Sequence, residues 1–226
     1  MPEPAVTGSP APSPAPPLAG GTAPAVVAQL LATEHWSLLA TRSTMWSEVM
    51  SRLTIHLTVA SASLVVLALV AQASGFGTPF TVLAIGLAAA VLVLGTLTQL
   101  RVILASTEDA SLIIAMNRLR AAYVDLAPEV GPYLVTSTLA DREGLMQTYT
   151  LGRPRSQPAH IAGSTSLFLG AVNTLVAGTL GALVAYAADA PVALRVAVGA
   201  VSGLAYLGVF LAIGQRSFGP GRFPSD

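Results

Sequence analysis

The sequence predicts an all-α polytopic membrane protein: four transmembrane helices as two hairpins, with long cytoplasmic helical extensions. Three observations point there. The chain is 53% hydrophobic and 10% charged, against roughly 25% charged residues in a soluble domain, so it has too little polar surface to cover itself in water. Its apolar residues gather into four runs, at 53–73, 81–105, 165–187 and 192–214, none holding Asp or Glu. Each run reaches the roughly 20 residues that cross a hydrocarbon core of about 30 Å. Arginine, the only basic residue type besides His, is crowded on one side of these runs.

Residues 1–24 are rich in Pro, Ala, Gly, Ser and Thr. Such a tail buries too little apolar surface to offset its ordering entropy, so disorder is expected. It has neither a basic n-region nor an apolar h-region and does not read as a secretory signal peptide. Residues 25–52 form an amphipathic cytoplasmic helix. Leu31, Leu38 and Met45 recur every seven residues, with Leu39, Trp46 and Leu53 as a parallel stripe. No Gly or Pro interrupts 25–73, so one helix can run on into the first span, or Trp36 and Trp46 can lie at the headgroups.

The first hairpin is 53–105, turning at Ser74-Gly75-Phe76-Gly77-Thr78-Pro79, and the second is 164–214, turning at Ala188-Asp189-Ala190-Pro191. Gly and Pro end helices and allow tight turns. Between the hairpins lies a cytoplasmic segment, 106–163. Ser106 and Asp109 are spaced as in a capping box. Leu112, Met116, Leu119, Tyr123 and Leu126 then recur at intervals of 4, 3, 4 and 3, a heptad-like seam for assembly within or between subunits. Pro128 and Gly131-Pro132 end that helix. Asp141-Arg142-Glu143 opens a short helix carrying Leu145, Met146 and Tyr149, and Arg153-Pro154-Arg155 with Pro158 reads as an extended linker. A tail, 215–226, closes the chain.

Orientation follows from the arginines. Arg42, Arg52, Arg101, Arg118, Arg120, Arg142, Arg153, Arg155, Arg216 and Arg222 fall on one side, and Arg195 alone lies near the other. Both termini and the middle segment are therefore expected in the cytoplasm and the protein in the cell (plasma) membrane, a bacterial inner membrane.

Chemistry is defined mostly by exclusion. Cysteine is absent, which removes disulfides, thiolate nucleophiles and Cys-based metal sites. No H-E-x-x-H, G-x-S-x-G, P-loop or G-x-G-x-x-G is present, and His35, His56 and His160 are far apart. Neither an enzyme, a cofactor nor a metal site is expected, and with no basic stripe interleaved with aromatics, nucleic acid is no partner. Polar groups inside the spans are the candidates for function, because lipid penalises them. Asn173 is a candidate pore lining or an interhelical hydrogen bond. His56 is a candidate gate or an interfacial histidine. Arg101 is a candidate pore-mouth charge or a snorkelling side chain. Arg195 snorkels outward or pairs with Asp189. Gly199 and Gly203 form a G-x-x-x-G that permits close helix packing. The lack of buried carboxylates argues against a cation-coupled transporter.

Two stretches carry a resemblance. Ala115-Met116-Asn117-Arg118-Leu119-Arg120-Ala121-Ala122-Tyr123-Val124-Asp125-Leu126-Ala127-Pro128-Glu129 and Glu34-His35-Trp36-Ser37-Leu38-Leu39-Ala40-Thr41-Arg42-Ser43 resemble segments of uncharacterised bacterial multi-span integral membrane proteins, where they flank the first hairpin. The order of long helix, hairpin and long helix also resembles the SLATT-type predicted pore-formers, which have two spans. This chain adds a second hairpin. Neither likeness assigns a functional residue. The function expected is that of a non-enzymatic membrane protein that self-associates as a homo-oligomer, as a channel or pore. The alternative is a membrane scaffold or regulatory subunit whose cytoplasmic helices dock a protein partner. A pore places Asn173 on a water-filled axis, and a scaffold buries it between helices.

Overall fold

The computed structural model describes residues 23–151 and 164–217. The expected tail at its N-terminus, the Arg153-Pro154-Arg155 linker, His160 and Arg222 lie outside the described residues. Every regular element described is helical: α1 (Pro24–Ser74), α2 (Thr78–Leu126), a 3-10 turn at Pro128–Tyr133, α3 (Arg142–Thr150), α4 (Thr165–Ala187) and α5 (Val192–Ser217). Four of them, α1, α2, α4 and α5, are long and apolar enough to cross a membrane.

Helix ends follow local chemistry. Pro24 occupies the first turn of α1, where its missing N–H is no loss. Gly75 ends α1 at φ +69°, a left-handed conformation that favours glycine, and donates its N–H to Ala71 O at 3.0 Å. Asp141 caps α3 by accepting from Gly144 N at 2.7 Å, and Ser164 caps α4 by accepting from Leu167 N at 3.1 Å. The start of α3 at Asp141 and the end of α2 before Pro128 agree with the breaker and cap signals in the sequence.

The capping box expected at Ser106 is not used. Helix α2 runs through it without a break. Ser106 Oγ donates to Val102 O at 2.8 Å and Thr107 Oγ1 to Leu104 O at 2.7 Å. Both hydroxyls thus bond back onto the preceding turn, and Asp109 is spent on a tertiary contact. No helix boundary therefore falls at 52 or at 105.

Lengths separate the helices into two classes. At 1.5 Å per residue, α1 (51 residues) and α2 (49 residues) extend about 76 and 73 Å, whereas α4 (23) and α5 (26) extend about 35 and 39 Å. Only the short pair matches a bilayer core. α2 is central: α1 packs along it, α4 packs on it, and α5 packs chiefly on α4. The apolar halves of the helices carry large side chains facing outward, among them Leu64 on α1, Val93 on α2, Leu175 on α4 and Val201 on α5. The other halves of α1 and α2, with α3 against them, form a head.

Buried side chains along the α1–α2 pair alternate in character. Asp109 and Asn117 lie in the head. Next comes an apolar layer of Met45, Val49, Val102, Ala105 and Leu169, with Trp46, Leu53 and Leu112 packed on it. His56, Gln99 and Asn173 follow, and then Ala84, Val91 and Ala177.

Candidate functional site

The head is built on a buried carboxylate. Asp109 is 1% exposed and accepts four hydrogen bonds. Arg42 Nε reaches Oδ1 at 2.6 Å and its Nη2 reaches Oδ2 at 3.3 Å. Trp46 Nε1 donates to Oδ1 at 2.8 Å and Tyr149 Oη to Oδ2 at 2.7 Å. A two-toothed guanidinium and two neutral donors thus join α1, α2 and α3 at one anion. Burial pushes the Asp109 carboxyl up, but hydrogen bonds from Arg42, Trp46 and Tyr149 and the charge of Arg42 outweigh it and hold it below its ordinary value. The same hydrogen bond, with the Asp109 charge, raises Arg42 against burial. Burial, then the Asp109 charge, pushes the Tyr149 phenol far up, so it stays a donor.

Asn117, fully buried, makes the second tie. Its Nδ2 donates to Leu139 O at 2.8 Å, and its Oδ1 accepts from Arg120 Nη1 at 2.7 Å and Thr148 Oγ1 at 3.1 Å. Gly144 lets the 134–141 segment cross α3, since a Cβ there would collide with Leu139 O. The apolar part of this joint is Ala110, Ile113, Ile114, Met116 and Leu145, with Leu38 and Tyr149 against it.

The seam residues are partly absorbed by this packing. Leu112 packs on the Met45 layer, Met116 joins the α3 joint, and Tyr123 stacks on His35 with ring centroids 5.9 Å apart. Leu119 is half-buried and Leu126 is exposed. The face of α2 turned inward is instead Val102, Ala105, Asp109, Ala110, Ile113, Met116 and Asn117.

Between head and apolar halves lies a charged band. Arg101 bonds Glu108 (3.1 Å) and Glu48 (3.3 Å), and Glu48 also bonds Arg52 (2.8 Å). The two flanking guanidinium groups, Arg101 first, hold the Glu48 carboxyl below its ordinary range. Arg101 therefore offers no free positive charge.

The second polar layer draws on four helices. Asn173 (0% exposed, α4) donates through Nδ2 to Gln99 Oε1 (α2) at 2.8 Å, and Tyr206 Oη (α5) donates to the same oxygen at 2.9 Å. Thr96 Oγ1 lies 3.1 Å from Tyr206 Oη and 2.7 Å from Leu92 O. His56 (1% exposed, α1) lies beside them. Gly95 makes this meeting possible: a Cβ there would collide with Asn173 Oδ1 and lie 2.7 Å from His56 Cε1. Thus the structure brings His56 and Asn173 together and leaves Arg101 in the charged band.

Gly199 and Gly203 face α4. A Cβ on Gly199 would sit 3.0 Å from Gly178 O, and one on Gly203 3.1 Å from Thr174 O. Arg195 donates to Ala190 O at 2.6 Å and lies 4.5 Å over the Tyr186 ring, so it caps the α4–α5 turn by carbonyl and cation–π contacts.

Sequence reading missed the Asp109 tie. Asp109 reads as a cap because its partners are 67, 63 and 40 residues away. Its one available signal is position: an acid four residues past the second apolar run, on the same stripe as Val102 and Ala105. Gln99 was likewise indistinct, since a polar residue near a span end has a bland interfacial explanation, and Tyr206 reads as one aromatic within an apolar run.

Comparisons with protein-family models, curated proteins and solved structures returned no match for this chain.

Proposed function

We propose that this protein is a non-enzymatic, multi-pass protein of the cell membrane that serves as a scaffold or regulatory subunit. In this reading both termini and the 106–163 segment are cytoplasmic, α1–α2 and α4–α5 are transmembrane hairpins, and the head docks a protein partner. The observation that carries it is the four-donor anchoring of Asp109, which fixes three helices into one rigid unit on helices about 40 Å longer than a bilayer core requires. A rigid, projecting unit presents a surface at low ordering cost. Catalysis is disfavoured by the same contacts: Asp109 has its oxygens occupied, and His56 is sealed from solvent.

A self-associating channel is the second reading. It draws on a groove of about 560 Å³ on the outer face, lined by Leu92, Gly181, Val184, Ser202 and Tyr206, where a helix of another copy can seat. The scaffold is preferred because Asn173 is buried between helices with its Nδ2 bonded to Gln99 of the same chain, and Arg101 is neutralised.

A photo-crosslinking residue at Trp36 or Tyr133, both strongly exposed in the head, tests the choice. In native membranes it is expected to form a discrete adduct with another protein, abolished by Asp109→Leu. The outcome that overturns the scaffold is adducts only between copies of this chain, with a ring of four or more subunits in native mass spectrometry and ion flux in liposomes.

A further inference from the structure

The layer around His56 has more polar capacity than the protein fills. Five side-chain atoms there are buried without a hydrogen-bond partner: His56 Nδ1 and Nε2, Gln99 Nε2, Asn173 Oδ1 and Thr174 Oγ1. Three of the four residues are at least 98% buried. Two of the residues meet at one point, because Asn173 Oδ1 and His56 Cε1 both crowd the position that a Cβ on Gly95 would take; Gln99 Nε2 lies instead 2.9 Å from that of a Cβ on Gly170, and the Thr174 side chain meets Gly203 of α5. A buried polar atom left unpaired is costly, the more so where lipid surrounds the helices.

The chemistry of the deficit selects the ligand. Asn173 Oδ1 needs a donor, and a neutral imidazole needs one donor and one acceptor. A molecule that both donates and accepts satisfies all of them. It must be neutral: among the described residues no Asp, Glu or Arg is part of the layer, and Arg52 and Arg101, a turn or less away along α1 and α2, are engaged by Glu48 and Glu108. It must also be small, since apolar side chains close both sides, Val49, Val102 and Leu169 toward the head and Val91 and Ala177 toward the turns.

We propose that His56 and Asn173 form an intramembrane site that binds water, beside Gly95 at the junction of α1, α2 and α4. Buried water of this kind makes two to four hydrogen bonds to groups otherwise unsatisfied. The site does not depend on what the head docks.

The test is water-edited solid-state NMR of the full-length protein in lipid bilayers, with ¹⁵N-labelled histidine, asparagine and leucine. The His56 signal is identified by its loss in His56→Phe. Magnetisation from water is expected to reach the His56 imidazole and the Asn173 side-chain amide several-fold faster than the lipid-facing amide of Leu64. Gly95→Ala, which places a methyl on Asn173 Oδ1, and Asn173→Leu each remove part of the site. Transfer to His56 is expected to fall to the Leu64 level in either variant that keeps its helix content. Two results overturn the proposal: transfer to His56 in the wild type no faster than to Leu64, or transfer that persists in both variants. If Gly95→Ala does not fold, Asn173→Leu decides.

Discussion

At the residue scale the most consequential group is Asp109, whose neighbours are all donors. Asp109→Asn keeps the shape but sets an N–H₂ among them, and it leaves the Arg42 charge without its partner. Removing one member of a buried pair costs about 3–5 kcal/mol, less here because Arg42 is 34% exposed, so about 2–4 kcal/mol is expected. Amide hydrogen exchange across α3 should accelerate by on the order of 30- to 1000-fold. Tyr149→Phe, which deletes one donor, should cost only about 1 kcal/mol. The pH dependence has a defined sign. The folded carboxyl titrates below its ordinary 3.8, so its contribution is present above 3.8 and is lost as pH falls through the folded value. Protection of α3 should be flat from neutral pH down to that point and decline below it. A decline already complete at pH 5 would contradict the assignment.

Helices add a second set of constraints. The stripe at 112, 116, 119, 123 and 126 has the right spacing for a single seam, yet α2 is pressed by α1 on one side and α3 on another, so its buried arc is wider and rotated toward Asp109, Ile113 and Asn117. Periodicity reports that a helix has an apolar face; it does not report how many neighbours share it. Glycines divide in the same way. Gly199 and Gly203 lie within about van der Waals contact of the α4 backbone, whereas Gly208 has open space around it. Gly199→Leu and Gly203→Leu should each force α4 and α5 apart and cost about 1–3 kcal/mol or more. Gly208→Leu should be close to neutral. Unfolding by detergent titration, followed by circular dichroism, separates the three.

For the whole molecule the useful quantity is length. Two helices of about 75 Å beside two of less than about 40 Å cannot all be matched to one bilayer, so the proposed topology sets the head outside it. The absence of native cysteine makes this directly measurable. Single cysteines at Phe76 and Ala188, in the two turns, should react with an impermeant maleimide applied to the outer face of intact cell membranes. One at Tyr133 should react only after the membrane is opened. Labelling of Tyr133→Cys without the turns would reverse the orientation, and labelling of all three would overturn the two hairpins.

Elements whose identity depends on composition and local chemistry were legible in the chain itself. The four apolar helices, the short helix opened by Asp141, the stop before Pro128 and the glycine turn at Gly75 all follow from transfer free energy, cap hydrogen bonds and backbone sterics, which act over a few residues. The continuity of α1 through residue 52 was legible in the lack of Gly and Pro over 25–73, whereas the cap at Ser106 was misread: a cap signal is local, and here the hydroxyl turned back on its own helix while the acid found partners in α1 and α3. Pairing of Asp109 with Arg42, Trp46 and Tyr149, neutralisation of Arg101, and the meeting of His56 with Asn173 over Gly95 were decided only by tertiary structure. These contacts join residues tens of positions apart, and a polar residue's role inside a low-dielectric bundle is set by which partner the packing delivers to it.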